Sequence, residues 1–408
     1  MGSHGGRFAM KMKRQLALIG RLSSLIILVL LMISGAAVVV AGEGAVDQQS
    51  KMAVSPRRQV PAMYVFGDST LDVGNNNHLE GKGVPRANKP YYGIDLPGAA
   101  AAAAGKPAIP TGRFSNGYNV ADFVAKNLGF EKSPLAYLVL KARHYLIPSA
   151  ITRGVSFASA GAGILDSTNA GDNIPLSQQV RLFASTKAEM DAKVGPAAVS
   201  HLLSRSFFLV GVGSNDFFAF ATAQAANKTA AATQGGVAAF YASLVSNYSA
   251  AITDLYKLGA RKIGIINVGP VGCVPRVRVL DATGGCAEAL NQLAAGFDAA
   301  LRSLLAGGLA PALPGLGYSI ADSYALTTHT DPRAVGFVDA ESACCGGGRL
   351  GAEADCLPGA ALCADRDRYL FWDRVHPSQR AAMLSAQAYY DGPPQFTTPI
   401  TFKQLADK

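Results

Sequence analysis

Charge is scarce in this sequence. Of 408 residues only 16% are charged while 49% are hydrophobic, which argues against a disordered chain and supplies a substantial core. No basic tract of five or more residues occurs, and the formal charge of +9 is unevenly spread. Arg7, Lys11, Lys13, Arg14 and Arg21 lie in the first 41 residues, which contain no Asp or Glu. The rest carries 32 basic against 28 acidic residues, a net of +4, so the electrostatic case for nucleic acid loses its main support. No Cys-x-x-Cys is present and no histidine lies between Cys344 and Cys363, which leaves the rival zinc reading of the cysteines without its usual ligand spacing. No internal repeat is found.

What is present begins with an uncharged apolar run, Leu22 to Ala41, preceded by the basic stretch and ending Val39-Val40-Ala41. This is the layout of a secretory signal peptide cleaved after Ala41. The competing reading is an uncleaved anchor, with membrane association through residues 22–41, because roughly 20 apolar residues span a bilayer. Either way the remainder is delivered to the lumenal or extracellular side. There an even cysteine count reads as disulfides. Cys273 and Cys286 are close enough to close one local loop; Cys344, Cys345, Cys356 and Cys363 pair among themselves without joining the vicinal two. Asn227-Lys-Thr229 and Asn247-Tyr-Ser249 fit the glycosylation acceptor.

Residues 42–60 read as a linker, 61–392 as one folded domain and 393–408 as a tail. Gly98 to Gly105, with six alanines between the glycines, reads as a surface insertion. Apolar runs at Ala62–Phe66, Phe207–Val212 and Lys262–Val268, with further strands from Gly154 and at Tyr318–Asp322, alternate with helical patterns. These patterns cover Val120–Leu128, Gln178–Met190, Ala197–Leu203, Ala238–Leu258 and Ala287–Leu305. Continuous apolar strands alternating with helices predict an α/β domain with a mostly parallel sheet of about five strands, covered on both faces.

Ser69 stands just past the first strand, where open α/β sheets place their chemistry. A serine nucleophile needs a base and donors for an oxyanion. Among six histidines, His376 alone has an acid at a useful spacing: Asp373 in Trp372-Asp-Arg-Val-His-Pro377. A carboxylate accepting from Nδ1 leaves Nε2 free to take a serine proton. His78, His144, His201 and His329 are read as loop or helix-surface residues, His4 as part of the leader. Pro377 is expected to open a helix running to Tyr389. Gly161 and Asn215, each following a strand, are candidate donors beside the backbone N–H of Ser69. Considered singly, Gly161 reads first as a turn glycine and Asn215 as a helix cap; it is their joint occurrence with the serine and the Asp-x-x-His that points to function.

Phe66-Gly-Asp-Ser69 with Asp72 and Asn75-Asn-Asn77, Gly161, Gly213-Ser-Asn-Asp216 and Asp373-Arg-Val-His376 together resemble the four blocks of the SGNH-hydrolase superfamily. Thr111-Gly-Arg-Phe-Ser-Asn-Gly117 and Gly269-Pro-Val-Gly-Cys273 resemble the plant GDSL esterase/lipase family in particular. The resemblance covers about residues 61–390. It implies a three-layer α/β/α flavodoxin-like fold and ester hydrolysis without metal or organic cofactor. It also implies Ser69 as nucleophile, His376 as base, Asp373 as its orienter, and Ser69, Gly161 and Asn215 as the oxyanion hole. An acyl lipid is the implied substrate, with acetyl groups of wall polysaccharide as the competitor. A catalytically silent lumenal binding protein would keep the fold but lose one of these residues. Thr70 departs from the leucine of the family name, and Ser156 and Ala160 stand where asparagine and glycine are common. The chain has no Gly-x-Ser-x-Gly, which argues against the α/β-hydrolase elbow.

Overall fold

The apolar runs become strands at the centre of the molecule, where they lose most or all of their solvent. β1 (Met63–Gly67) is buried throughout, as are β2 (Gly154–Ser156) and β3 (Phe207–Gly211); β4 (Lys262–Ile266) and β5 (Gly317–Ala321) continue the set. The computed structural model describes residues 58–97, 111–226 and 234–408. The leader, the linker up to residue 57, the alanine insertion and Asn227 lie outside the described residues.

The strands pair in the order β2-β1-β3-β4-β5, all parallel. This is the flavodoxin-like order, in which the chain reverses its direction of winding between β1 and β3 and leaves a crevice at their carboxyl ends. A sixth strand, β6 (Thr397–Thr398), adds antiparallel to β5. The sheet therefore exceeds the five strands read from the sequence.

Alternation along each strand divides the interior in two. Tyr64, Phe66, Phe208 and Val210 point one way, Met63, Val65, Phe207 and Leu209 the other. α1 (Val120–Asn127) packs on the second face; a capping box between Asn119 and Asp122 fixes its start. α2 (Leu176–Val194), α4 (Gln234–Lys257) and α5 (Glu288–Ser303) cover the first face, where Phe183 of α2 lies 5.1 Å from Tyr64 and 5.5 Å from Phe208. Between α2 and α4, α3 (Ser214–Ala226) leaves the end of β3. α6 (Ser323–His329) leaves the end of β5. α7 (Gln379–Asp391) and α8 (Phe402–Asp407) complete the second layer with α1.

Two expectations are revised. Residues 393–408 are not an appendage: β6 extends the sheet, and Phe402 and Leu405 of α8 are fully buried beside Phe207 and Tyr389. Pro377 does not open α7; Ser378 caps it, its Oγ accepting from the Ala381 N–H at 3.2 Å. Pro377 instead forms an isolated bridge with Phe371.

The segment from Asp339 to Phe371 builds small ladders. Asp339–Ala343 pairs with Tyr369–Phe371, and Cys345–Gly346 with Ala361–Leu362. Three disulfides join Cys273 to Cys286, Cys344 to Cys363 and Cys345 to Cys356, the last two nested. A cross-link over loops this short contributes about 3 kcal/mol in the chain-entropy account, which suits a region with little apolar core of its own.

Candidate active site

The turn after β1 is held from several directions. Gln179, fully buried on α2, accepts from the Gly67 N–H and donates to the Gly67 carbonyl, both at 2.8 Å. The Asp68 N–H donates to Gly211 O at 3.1 Å, and the Asp68 carbonyl accepts from Leu71 and Asp72. The Asp68 carboxylate accepts the N–H and the hydroxyl of Thr70 at 2.9 and 2.8 Å, the second being a bond leucine could not make. Burial raises the Asp68 carboxyl above its ordinary value, against the pull of Thr70 and the charge of His376. Ser69 is thus presented at the carboxyl end of β1, beside the β1–β3 crevice.

The His376 loop arrives from the far end of the chain. His376 Nε2 lies 2.8 Å from Ser69 Oγ, and Nδ1 lies 2.8 and 2.9 Å from the two carboxylate oxygens of Asp373. Asp373 Oδ1 also accepts the N–H groups of Val375 and His376 at 2.9 and 2.8 Å, which folds the carboxylate back onto its own loop. Burial alone would raise the Asp373 carboxyl, but the His376 charge and these hydrogen bonds outweigh it and hold it below its ordinary value. The disulfide segment braces this loop: the Cys345 N–H donates to Trp372 O at 2.7 Å, and the Trp372 N–H to His376 O at 2.8 Å.

Gly161 adopts φ +84°, a left-handed conformation that favours glycine. Its loop is pinned by side chains of the serine block and of α3. Asp72 accepts the Ala160 N–H at 3.2 Å and Asn76 donates to Ala160 O at 2.8 Å. Asp216 accepts the N–H groups of Ile164 and Leu165 at 2.8 and 3.0 Å. Burial pushes the Asp72 carboxyl up to about 6 despite its backbone hydrogen bonds. Asn215, in the first turn of α3, donates one amide N–H to Ala162 O at 3.0 Å, leaving the second. Asn215 and the Gly161 loop are therefore neighbours.

Several participants carried no sequence signal. Tyr92 donates to Asp373 Oδ2 at 2.7 Å across 281 positions, and Gln179 clamps the turn before Ser69 across 112. Phe114, inside the 111–117 stretch, packs against the His376 ring with centroids 4.9 Å apart, and Asn116 Oδ1 accepts the Gln379 N–H at 2.8 Å. His78, His144, His201 and His329 are exposed. Asn247 lies on α4 with its side chain exposed.

A mainly apolar cavity of about 410 Å³ is lined by residues including Thr70, Ile266, Val268, Val271, Phe371 and Tyr389; Ser69 and His376 themselves do not line it. Asp68 and Thr70, which flank Ser69, and Val375 and Pro377, which flank His376, also border it.

A family profile described as GDSL-like Lipase/Acylhydrolase matches residues 63–388. The GDSL esterase/lipase At5g55050 of Arabidopsis thaliana is 36% identical over 357 residues, covering 85% of this chain and 90% of that protein. The GDSL esterase/lipase At1g71250 of the same plant is 34% identical over 379 residues, covering 91% of this chain and 96% of its own.

Proposed function

The chain belongs to the GDSL lipase/acylhydrolase family and is a carboxylic ester hydrolase, and from that premise we propose that Ser69, His376 and Asp373 act as its catalytic triad on acyl lipids. The observation carrying this reading is the unbroken hydrogen-bond chain Ser69 Oγ–His376 Nε2 and His376 Nδ1–Asp373.

In the proposed reaction His376 Nε2 takes the Ser69 proton as Oγ attacks the ester carbonyl. Asp373 holds the ring in the tautomer with Nε2 free and stabilises the imidazolium. The carbonyl oxygen gains negative charge and accepts hydrogen bonds donated by the N–H groups of Ser69 and Gly161 and by the second amide N–H of Asn215. One such donor lowers a barrier by about 3–4 kcal/mol when preorganised. His376 then protonates the departing alcohol, and a water activated by the same nitrogen releases the acid from Ser69.

The apolar cavity of about 410 Å³ bordered by the neighbours of Ser69 and His376 supports the acyl-chain reading over acetyl, because it offers apolar room for a chain. Delivery through the secretory pathway is the accompanying proposal. It rests on the apolar run at residues 22–41 and on six cysteines all paired.

The test uses a fluorophosphonate probe and chromogenic esters of increasing chain length. Wild type should be labelled at Ser69 and prefer chains beyond acetate; Ser69→Ala should fold, remain unlabelled and lose turnover. Equal turnover by the variant would reject the serine, and a preference for acetylated glycan would reject the lipid.

A further inference from the structure

Asp373 has more donors than a triad requires. Its two backbone partners both reach Oδ1. Oδ2 receives the imidazole and one other side chain, the phenol of Tyr92 at 2.7 Å. Tyr92 is 7% exposed and comes from a loop that no reading of the four motif blocks includes. Its ring is wedged against Phe114 and Trp372, with centroids 5.8 and 6.4 Å away. Phe114 in turn packs on His376. The hydroxyl is thus fixed by aromatic packing and aimed at one carboxylate oxygen.

We propose that Tyr92 is a positioning residue of the catalytic apparatus, acting on His376 through Asp373. This rests on the triad reading above and deepens it. Two consequences follow from the geometry. The phenol locks the rotation of the carboxylate so that its plane meets Nδ1. It also withdraws charge from Oδ2, setting how strongly Asp373 holds the imidazolium relative to the neutral ring. Burial first, then the nearby Asp373 charge, drives the phenol's own titration far upward, so it remains a donor throughout the working range.

Removing the hydroxyl leaves the carboxylate charge less dispersed. The imidazolium gains, and the free base form of His376 appears only at higher pH. Other charges near the group are Asp68, which faces His376 from the nucleophile turn, and the Arg374–Asp355 pair beside Tyr92. All are unchanged in the variant, so they enter as a constant background.

The experiment compares kcat/KM against pH for wild type and Tyr92→Phe on a short chromogenic ester, with thermal unfolding and fluorophosphonate labelling alongside. The phenylalanine variant keeps the ring against Phe114 and Trp372. The acid limb should move up by about half a unit to one unit, and kcat should fall about tenfold with KM unchanged. Replacing Tyr92 by 3,5-difluorotyrosine, a stronger donor of similar shape, should move the limb the other way and retain kcat. That second variant decides the matter if the first folds poorly. An acid limb superimposable on wild type in the folded variants would overturn the proposal, leaving Tyr92 a packing residue. Wild type that is active but unlabelled at Ser69 would overturn the triad and the Tyr92 role together, an outcome distinct from labelled enzyme with an unmoved profile.

Discussion

Asp373→Asn separates the orienting role of the acid from its bulk. An amide has one acceptor oxygen, and the loop dictates where it goes. Two backbone N–H groups, from Val375 and His376, converge on Oδ1 at 2.9 and 2.8 Å, so the amide oxygen must occupy that side. Its NH₂ then replaces Oδ2, 2.8 Å from His376 Nδ1 and 2.7 Å from the Tyr92 oxygen. The hydroxyl of Tyr92 can rotate and accept, so the fold survives. Nδ1 lies 2.8 Å from the new NH₂ and 2.9 Å from the retained oxygen, which already accepts two backbone N–H groups; an Nδ1 that accepts from the NH₂ carries its proton on Nε2 instead, and a protonated Nε2 cannot take one from Ser69 at 2.8 Å. The expected loss in kcat is about 10³–10⁴-fold, or roughly 4–5.5 kcal/mol, with KM nearly unchanged. Hydrolysis of a p-nitrophenyl ester and the rate of fluorophosphonate labelling should fall together, while the melting transition stays within a few degrees. A folded variant retaining kcat within tenfold of wild type would refute the tautomer reasoning.

Two further outcomes concern the cavity and the loop braces. Ser385→Phe, at the α7 wall of the cavity, should cut kcat/KM for long-chain esters about tenfold relative to short ones, as read from a chain-length series. An unchanged ratio would show that the acyl chain lies elsewhere. Asp72 should give stability an opposite pH dependence to that of Asp373. Its carboxyl rises from 3.8 to about 6 in the folded chain, so the folded state binds the proton more tightly. That stabilisation is complete below about pH 4 and is lost as pH rises to about 6, a change on the order of 3 kcal/mol. Urea denaturation at pH 4 and pH 7 should therefore find wild type losing ground to the non-titrating Asp72→Asn by about that much; a constant difference between the two proteins would contradict it.

Much of this architecture is written locally. β1, β3 and β4 announce themselves because strands covered on both faces need apolar side chains at every position. The serine and the Asp373–His376 pair stand out because a turn and an i, i+3 spacing are short-range features. What stays hidden depends on distant partners. Thr397–Thr398 becomes a strand only because β5 offers an unpaired edge, and nothing in two threonines says so. The ladders around Cys345 form under cross-links whose pairing cannot be deduced from spacing alone. Tyr92 is one of fourteen tyrosines, distinguished solely by the fold that brings it to Asp373. Gln179 likewise reads as an ordinary helix residue until its amide meets Gly67. The helix expected to open at Pro377 starts two residues later, after Ser378, whose hydroxyl caps it by accepting the Ala381 N–H.

The separation of 307 positions between Ser69 and His376 has a consequence during biosynthesis. In the proposed triad, translation delivers the serine oxygen 307 positions before the imidazole that would take its proton. The helix α8, which seats Phe402 against the sheet, comes later still. On that reading a nascent polypeptide that has not yet reached His376 is inert toward the esters around it, and hydrolytic competence begins only when the two distant segments close on each other.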